Sequence, residues 1–231
     1  MITKVFNRVE KKYLLTKFNY DLLLKKLGNN IIEDRYGLMT ISNLYYDTNS
    51  FELIRNSIEK PQFKEKLRLR TYNLDYKDKE VYIELKKKYK GIVYKRRESY
   101  FLDEAYDFLN KKIVPKKNNQ VTKEIDFFIN NYNVKPVLFL AYDRVAYYGK
   151  DDSEFRVTFD TNIRSRVENL NLENGDYGNL YFKDDTYLME VKCLGAMPLF
   201  FVHILNELNI FPTSFSKYGN IYKDGLFKEV Y

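Results

Sequence analysis

In KEKLRLRTY at Lys64–Tyr72, four basic residues alternate with Glu65, Leu67, Leu69 and Thr71, and this pattern is the clearest indication of the fold. Alternation with a period of two residues predicts a β-strand with one apolar face and one polar face. The apolar face carries Leu67 and Leu69. The polar face is unusual because all its charges are positive, and its members are Lys64, Lys66, Arg68 and Arg70.

The same alternation continues on both sides of this strand. Val81–Lys88 is predicted as a second strand, with its apolar positions opposite Glu84 and Lys86. Gly91 then supplies a turn, so Ile92–Phe101 is predicted as the return strand of a β-hairpin. Further predicted strands are Val5–Leu15, Thr40–Tyr46, Val137–Tyr147, Glu154–Asp160 and Tyr187–Cys193.

Helical patterns interrupt the strands. Gly28 is predicted to end the first helix, Thr122 to cap the fourth, and Pro198 to lie in the first turn of the last. The predicted helices are Phe18–Leu27, Thr48–Ser57, Ser99–Lys112, Thr122–Asn131 and a segment from Pro198 to about Asn209. Few connections have the length of a βαβ crossover, so the pattern predicts an antiparallel α+β protein. Only the short segments 116–119 and 168–178 read as loops, which favours a single domain over residues 1–231.

Composition excludes several kinds of site. The chain has 231 residues, of which 39 are Lys or Arg and 32 are Asp or Glu, giving a formal charge of +7. A single Cys and a single His exclude a disulfide framework and a Cys- or His-rich metal site. No apolar run reaches the roughly 20 residues that span a bilayer, and the N-terminus lacks a secretory apolar segment. We therefore expect a cytoplasmic protein whose chemistry depends on carboxylates, Lys, Arg, Tyr or a carboxylate-bound metal.

The basic strand faces require an explanation. Neighbouring charges on one strand face lie about 7 Å apart. Each like-charged pair then costs about 2 kcal/mol at an effective dielectric near 20, and less in full solvent. A single basic strand is often a solvated surface, but several such strands favour a shared surface that binds an anion, best of all a polyanion. Arg on a rigid strand suits bidentate binding of phosphate.

Two acids, Glu84 and Glu190, fall on these basic faces, and the pattern leaves two interpretations open. Each carboxylate either pairs with neighbouring cations or holds Mg²⁺ or Mn²⁺, which take oxygen ligands and bind phosphate at the same time. Nucleic acid is the competing polyanion, since the pI of about 9.1 and the many Tyr residues suit a single-strand binder. No RNP-type motif, zinc finger or Gly-rich phosphate loop is present, so nucleic acid is not expected as a partner.

The charged segments also resemble, in order, those of a known family. The resemblance covers nearly the whole chain and is specific because nine short segments follow one another at plausible spacings. They are FNRVEKKYLL, NLYYDT, KLRLRTY, VYIELKKK, VYKRR, AYDRVAY, FRVTFDTNI, LMEVKC and SFSKYG. Together they resemble the catalytic domain of the vacuolar transporter chaperone (VTC) family, polyphosphate polymerases within the triphosphate tunnel metalloenzyme (CYTH-like) superfamily.

This resemblance implies a closed antiparallel β-barrel of about eight strands, which forms a basic tunnel with helices packed outside. It implies a polymerase that transfers the γ-phosphoryl group of ATP to a growing inorganic polyphosphate chain, with Mn²⁺ or Mg²⁺ as cofactor. ATP and polyphosphate are the implied partners, and association with a separate membrane protein is an expectation from the eukaryotic complex.

Site residues follow from the resemblance position by position. The catalytic, phosphate-binding cations are Lys12, Arg68, Arg70, Lys86, Arg144, Arg156 and Lys217. Additional substrate-binding residues are Arg8, Arg97, Lys192, Ser216 and Glu84. Glu190 is the implied principal metal ligand, and Glu10 is the second candidate.

One departure from the superfamily pattern bears on the activity. Triphosphatase and cyclase branches carry ExExK in the first strand, whereas this chain has Arg8-Val-Glu10-Lys-Lys12. Fewer carboxylates then remain for a second, water-activating metal, which favours the polymerase. The alternatives are an inorganic or nucleoside triphosphatase of the same fold and a non-catalytic polyphosphate-binding module.

Overall fold

The computed structural model describes residues 8–73, 80–113, 115 and 117–225. Its strands are β1 (Arg8–Thr16), β2 (Ile31–Glu33), β3 (Met39–Asp47), β4 (Phe63–Tyr72), β5 (Val81–Tyr89), β6 (Ile92–Tyr100), β7 (Lys135–Gly149), β8 (Arg156–Arg166), β9 (Asn179–Leu180) and β10 (Thr186–Leu194). Its α-helices are α1 (Lys17–Leu27), α2 (Glu52–Glu59), α3 (Leu102–Leu109), α4 (Gln120–Tyr132), α5 (Leu199–Glu207) and α6 (Lys217–Lys223), and a 3₁₀ turn covers Gly28–Asn30.

The chain forms two compact units. Of the described residues, unit 1 comprises those within 8–39, 142–163 and 180–215, and unit 2 comprises those within 40–141, 164–179 and 216–225. Each unit has its own hydrophobic core. The prediction of a single domain over residues 1–231 stays a prediction.

Unit 2 contains the strand order β7-β3-β4-β5-β6. The pairs β3–β4, β4–β5 and β5–β6 are antiparallel. A two-residue turn joins β5 to β6, with positive φ at both Lys90 and Gly91. Such a turn matches the twist of a hairpin and fixes its register, so that Glu84 lies opposite Arg97.

Helices α3 and α4 cover the apolar face of the β4–β5 pair. Leu67, Leu69 and Ile83 of the strands share one buried cluster with Phe108 of α3 and Phe128 of α4. The prediction that this strand face packs under helices is therefore confirmed. Because successive side chains of a strand point to opposite faces, the same packing directs the Lys and Arg side chains of β4 and β5 away from this core.

Unit 1 contains the strand order β1-β10-β8-β7, with the short strand β2 on β7. The pairs β1–β10 and β10–β8 are antiparallel. Its core joins Met189 and Val191 of β10 to Leu23 of α1 and Phe201 of α5. Cys193 is buried in the same cluster, as its place on the apolar face of β10 predicts.

The antiparallel α+β class is confirmed, while some details differ from the predictions. Ten strands are present among the described residues, and the two beyond the predicted eight or so are the short β2 and β9. Thr122 does not cap α4: Asn119 does, and Thr122 is a buried helical residue hydrogen-bonded to Tyr100. The predicted strand start at residues 5–7 lies outside the described residues. Closure of the strands into a barrel stays a prediction.

None of the helices in the described ranges combines the length and the apolar character that a membrane-spanning helix needs.

Candidate functional site: two charged strand faces

A row of four side chains crosses the sheet of unit 2. Pairing places Tyr45 of β3 next to Arg68 of β4, Arg68 next to Glu84 of β5, and Glu84 next to Arg97 of β6. The row lies on the side opposite the α3 and α4 core, because its members alternate with the buried Leu67, Leu69 and Ile83. The row therefore brings together Arg68, Glu84 and Arg97, which the sequence predicts as site residues in three separate segments.

Glu84 is the centre of this row and is only 1% exposed. Arg68 donates from Nε to Glu84 Oε2 at 2.8 Å, and its Nη2 lies 2.6 Å from the same oxygen. Lys95 Nζ lies 2.6 Å from Oε1, while Arg70 and Arg97 lie 3.7 and 3.8 Å from the carboxylate. Glu84 thus forms ion pairs, which is the first of the two interpretations that the sequence left open.

These neighbours decide the protonation state of Glu84. Burial alone would raise the pKa of the carboxyl group, but Arg68, Arg70 and Lys95 together hold the pKa well below its usual range. The carboxylate is therefore ionised at any physiological pH. One negative charge among four cations leaves the cluster with a net positive charge, which an anionic ligand can compensate.

Two further contacts fix the guanidinium groups of this cluster. Arg70 is buried and donates from Nε to Asn43 Oδ1 at 2.8 Å, and Asn43 in turn donates to the Leu140 carbonyl. The guanidinium carbon of Arg97 lies 3.6 Å from the ring centroid of Tyr82, a cation–π contact. Arg70 is consequently more enclosed than Arg68, so Arg68 is the better placed of the two for binding a ligand.

The cations extend beyond this row along the same face of β4, β5 and β6. We call this surface the basic face. Its members are Lys64, Lys66, Arg68, Arg70, Lys86, Lys88, Lys95 and Arg97. Strand pairing sets Lys66, Lys86 and Lys95 side by side, and Lys64 beside Lys88. Within these three strands, Glu84 is the one carboxylate on the basic face.

Helix α6 lies against one part of this cluster. Ser216 caps the helix by accepting from the Gly219 amide, and its hydroxyl oxygen lies 3.3 Å from Lys66 Nζ. Burial would raise the pKa of the Tyr45 hydroxyl, but Arg68 and Arg70, with a further contribution from Lys217, lower it. The charge of Lys217 therefore acts on the Tyr45 end of the row.

A buried aspartate positions α6. The carboxylate of Asp47 accepts from the Leu53 and Ile54 amides at the start of α2 and from the Tyr218 hydroxyl at 2.9 Å. These bonds link the end of β3 to both helices. They place Lys217, the residue before Tyr218, at the basic cluster.

A second charged cluster lies in unit 1 and mixes both signs. Lys12 Nζ of β1 lies 3.2 Å from Glu190 Oε1 of β10, and it donates to the Phe215 carbonyl. Arg144 of β7 makes a bidentate pair with Asp160 of β8 and lies 3.5 Å from Glu190 Oε2. We call this set, Lys12, Arg144, Asp160 and Glu190, the mixed cluster.

The charge of Arg144 is secured by its partners. Burial would lower the pKa of its guanidinium group, but Asp160, with a smaller contribution from Glu190, raises the pKa well above its usual value. Asp160 accepts from Nε and Nη2 of Arg144, and Glu190 Oε2 lies 3.5 Å from the same Nη2, so Glu190 shares Arg144 with Asp160 and is also paired with Lys12.

The other predicted residues of unit 1 form the next row of the same face. Pairing sets Glu10 beside Lys192 and Lys192 beside Arg156. Arg156 is exposed and lies 3.4 Å from Asp34. Arg8 of β1 pairs with Leu194 of β10.

Carboxylates are few in both clusters. Among the residues that the structure describes, no group of three or more His, Cys, Asp or Glu side chains is arranged to hold a metal ion. Glu10 and Glu190 nevertheless converge, because their oxygens lie 3.9 and 3.2 Å from the same Lys12 ammonium group. Two carboxylates that share one cation are compatible with a Mg²⁺-type ion that takes its other ligands from substrate phosphates.

Unit 2 also has an open surface depression on the opposite side of β5 from the basic face. It is lined by Lys87, Gln120, Lys123, Glu124 and Phe127. No predicted site residue lines this depression. The candidate site is therefore defined by the charged faces of the strands.

Two residues in these clusters were missed as site residues. Lys95 was not among the predicted site residues, yet it forms an ion pair with Glu84. The turn at Gly91 could have revealed it, because a two-residue turn sets Lys86 opposite Lys95. Asp160 lies on the same face of β8 as Arg156 and was given no role, although it is the bidentate partner of Arg144.

Solved structures with a similar fold include two candidate cyclases. A candidate adenylate cyclase from Bacillus halodurans superposes with a TM-score of 0.56 and 16% identity, covering 90% of this chain and 93% of that one. A candidate adenylyl cyclase from Hippeastrum, reported to have a dominant triphosphatase activity, superposes with a TM-score of 0.56 and 14% identity, covering 94% and 96%. At this identity the likeness shows a triphosphate tunnel metalloenzyme-like fold.

The sequence itself identifies the family. Residues 7–224 match the VTC domain, so the chain belongs to the VTC-domain family. A search of curated proteins found no match. The predicted family is thereby confirmed.

Proposed function

We propose that the protein is a polyphosphate polymerase that uses ATP. The observation that supports this proposal best is the basic face of β4–β6, where eight cations surround a single carboxylate. From Lys64 to Arg70 the strand rises about 20 Å, at about 3.4 Å per residue. A cationic surface of that length exceeds what one triphosphate can contact and suits a polymer of phosphate.

The proposed reaction moves one phosphoryl group. The bond between the β,γ-bridging oxygen and the γ-phosphorus of ATP breaks, and a bond forms between the γ-phosphorus and a terminal oxygen of the polyphosphate chain. ADP leaves with the bridging oxygen. The attacking oxygen is already ionised, so no strong base is needed, and the catalytic contribution of the protein is positioning and neutralisation of charge.

The roles of the residues follow from their surroundings. Arg68, Lys86, Arg97 and Lys217 bind phosphate oxygens in unit 2, where Glu84 and Tyr45 hold Arg68 in place. Lys12, Arg144, Arg156 and Lys192 bind phosphate in unit 1, with Asp160 orienting Arg144. The proposal includes the closed basic tunnel that the family resemblance implies.

A divalent ion, Mn²⁺ or Mg²⁺, is part of the proposal. When bound, such an ion supplies neutralisation of the charge on the phosphate oxygens. Glu190 would hold it with Glu10, since both already approach one cationic group. Lys12 lies between these carboxylates, so it would turn toward a phosphate oxygen when the metal is present.

The runner-up is a triphosphatase of the same fold. The reported activity of the Hippeastrum protein makes this the natural alternative. Hydrolysis requires activation of water, often by a second metal with its own carboxylates. The small number of carboxylates in the mixed cluster, and Arg8 where the triphosphatase pattern has Glu, favour transfer to phosphate over transfer to water.

Binding of phosphate chains of increasing length tests the proposal. Affinity should rise from triphosphate to longer polyphosphates and then level off, because a longer chain reaches Lys64 and Lys88 at the far end of the basic face. Lys64→Ser with Lys88→Ser should weaken long-chain binding by about thirtyfold or more, since each of the two lost phosphate contacts costs roughly 1 kcal/mol or more. Triphosphate binding should stay unchanged. Calorimetry measures both.

The matched control removes two positive charges from a different part of the surface. Lys25→Ser with Lys123→Ser removes two exposed lysines outside both clusters, in α1 and α4. It should leave the length dependence intact. Equal affinity for triphosphate and long chains in the unaltered protein would instead favour a triphosphatase.

A further inference from the structure

The end of the β5–β6 hairpin is exposed and apolar. All seven residues from Tyr89 to Lys95 are exposed, and the side chains of Tyr89, Ile92, Val93 and Tyr94 are each 43–48% accessible. Phe63, the first residue of β4, is exposed to a similar degree. We call residues 88–95 together with Phe63 the hairpin end.

The apolar side chains of the hairpin end are neighbours. Strand pairing sets Phe63 beside Tyr89 and Tyr89 beside Ile92, in one row across three strands. Tyr94 follows two residues after Ile92 on the same side of β6. Scattered single apolar residues are normal on a surface, whereas a contiguous group marks a site of interaction.

Cations surround this apolar group. The segment 86–97, KKKYKGIVYKRR, contains seven Lys or Arg residues and no Asp or Glu. Glu84 neutralises part of the charge of Lys95 and Arg97, and Lys87 pairs with Glu65 and Glu124. Lys88 and Lys90 directly flank Tyr89 in the sequence: Lys88 belongs to the basic face of β5 and Lys90 to the turn, so one cation lies on the other face of the hairpin end and one at its tip.

We propose that the hairpin end docks on the surface of an anionic lipid bilayer. Ile92, Tyr89 and Tyr94 enter the boundary between headgroups and acyl chains, where Tyr is enriched in membrane-associated proteins. Lys88 and Lys90 reach the phosphate or carboxylate of anionic headgroups, because long Lys side chains extend along apolar surface toward polar groups. The two-residue turn at Lys90 and Gly91 joins the strands that present these side chains.

The composition of the hairpin end favours lipid over a protein partner. Protein interfaces are depleted of Lys, while an anionic membrane surface attracts it. The combination of apolar and basic side chains also distinguishes this binding from that of polyphosphate, which requires charge and gains nothing from Ile92. The inference goes beyond the polymerase proposal and does not depend on it.

Co-sedimentation with vesicles tests this proposal. The unaltered protein should sediment with vesicles of phosphatidylcholine and phosphatidylserine and remain in solution with phosphatidylcholine alone. Ile92→Ser with Tyr94→Ser should lower the apparent affinity for the anionic vesicles by at least about tenfold, through lost apolar burial. The same variant should keep its affinity for soluble polyphosphate.

A matched control and a second reporter keep the outcome interpretable. Leu38→Ser with Phe211→Ser removes two exposed apolar side chains of unit 1 and should leave vesicle binding unchanged. The chain has no Trp, so Tyr94→Trp provides a single fluorescent probe in a protein with an intact apolar group. Its emission should shift to shorter wavelength on adding anionic vesicles, and that of Phe211→Trp should not.

Three results would overturn the proposal. The first is no sedimentation and no emission shift with anionic vesicles. The second is vesicle binding that the Ile92 and Tyr94 variant retains in full, which would assign it to charge alone. The third is self-association in analytical ultracentrifugation that the variant abolishes while vesicles have no effect, which would make a second copy of the chain the occupant.

Discussion

Replacing Glu84 with Gln is expected to destabilise the protein by about 3 kcal/mol. The substitution keeps the shape of the side chain but leaves Arg68, Arg70, Lys95 and Arg97 without their shared counter-charge. Breaking a buried ion pair in this way costs about 3–5 kcal/mol. We expect the lower end of this energy range because Lys95 and Arg97 are partly exposed, so that solvent screens their charges. Urea unfolding followed by circular dichroism measures the change.

A carboxylate on the opposite face of the same hairpin provides the control. Glu98 of β6 forms one ion pair, with Lys117, at 3.3 Å. Because that pair is partly solvated, Glu98→Gln should cost less than about 1 kcal/mol. Equal losses for the two variants would contradict the central position of Glu84 in the basic face.

The same substitution has a predicted pH dependence. The pKa of Glu84 is lower in the folded protein than its unfolded value of about 4.3. A lowered folded pKa means that the carboxylate contributes its full stability above pH 4.3 and loses it as the pH falls below that value. The stability difference between the unaltered protein and Glu84→Gln should therefore be constant near neutral pH and shrink under acid conditions. A difference that grows toward acid pH would contradict the assignment.

Replacing Glu190 with Gln is expected to lower kcat for polyphosphate synthesis by at least about a hundredfold. Loss of one preorganised electrostatic group at a reacting centre has an effect of that size. Affinity for ATP without metal should stay unchanged or rise slightly, because a negative charge next to Lys12 and Arg144 is removed. Steady-state kinetics and calorimetry separate these two effects.

Metal titration distinguishes a ligand from a merely structural carboxylate. In Glu190→Gln the Mn²⁺ concentration needed for half-maximal activity should rise, and Glu10→Gln should raise it less, because Glu10 lies farther from Lys12 and is more exposed. Unchanged turnover in Glu190→Gln would remove Glu190 from the catalytic centre. Lost turnover with an unchanged metal requirement would leave it as a partner of Lys12 and Arg144.

Strand alternation predicted much of the fold. In KEKLRLRTY and VYIELKKK the period of two separates buried Leu and Ile side chains from charged ones, and the structure shows the same separation. Such patterns are reliable because a strand that slips by one residue would bury its Lys and Arg side chains. Antiparallel pairing followed from the short connections, and the turn at Gly91 fixed the hairpin register.

Pairing across distant parts of the sequence was harder to predict. Which carboxylate meets which cation depends on the order of strands, so the bidentate pair of Arg144 with Asp160 and the bond of Lys95 to Glu84 appear only in the folded chain. Ser216 carried a predicted substrate role, and the structure adds that it caps α6. Helix α6 itself escaped prediction because seven residues give too little periodicity to recognise.

Capping of α4 shows how local signals compete. Both Asn119 and Thr122 can cap a helix, and both precede the same apolar residues. Asn119 wins because Thr122 is buried, where its hydroxyl pairs with that of Tyr100. Tertiary burial therefore decided the start of the helix.

Analysis of the products formed from ATP tests the central claim most directly. Purified protein would be incubated with ATP and Mn²⁺ or Mg²⁺, the products separated on a polyacrylamide gel stained for polyphosphate, and ADP and free phosphate measured in parallel. For a polyphosphate polymerase, we expect a ladder of polyphosphate with one ADP per phosphate added and little free phosphate. Release of free phosphate without a ladder would contradict it and establish a triphosphatase. ATP binding with neither product would leave a phosphate-binding module.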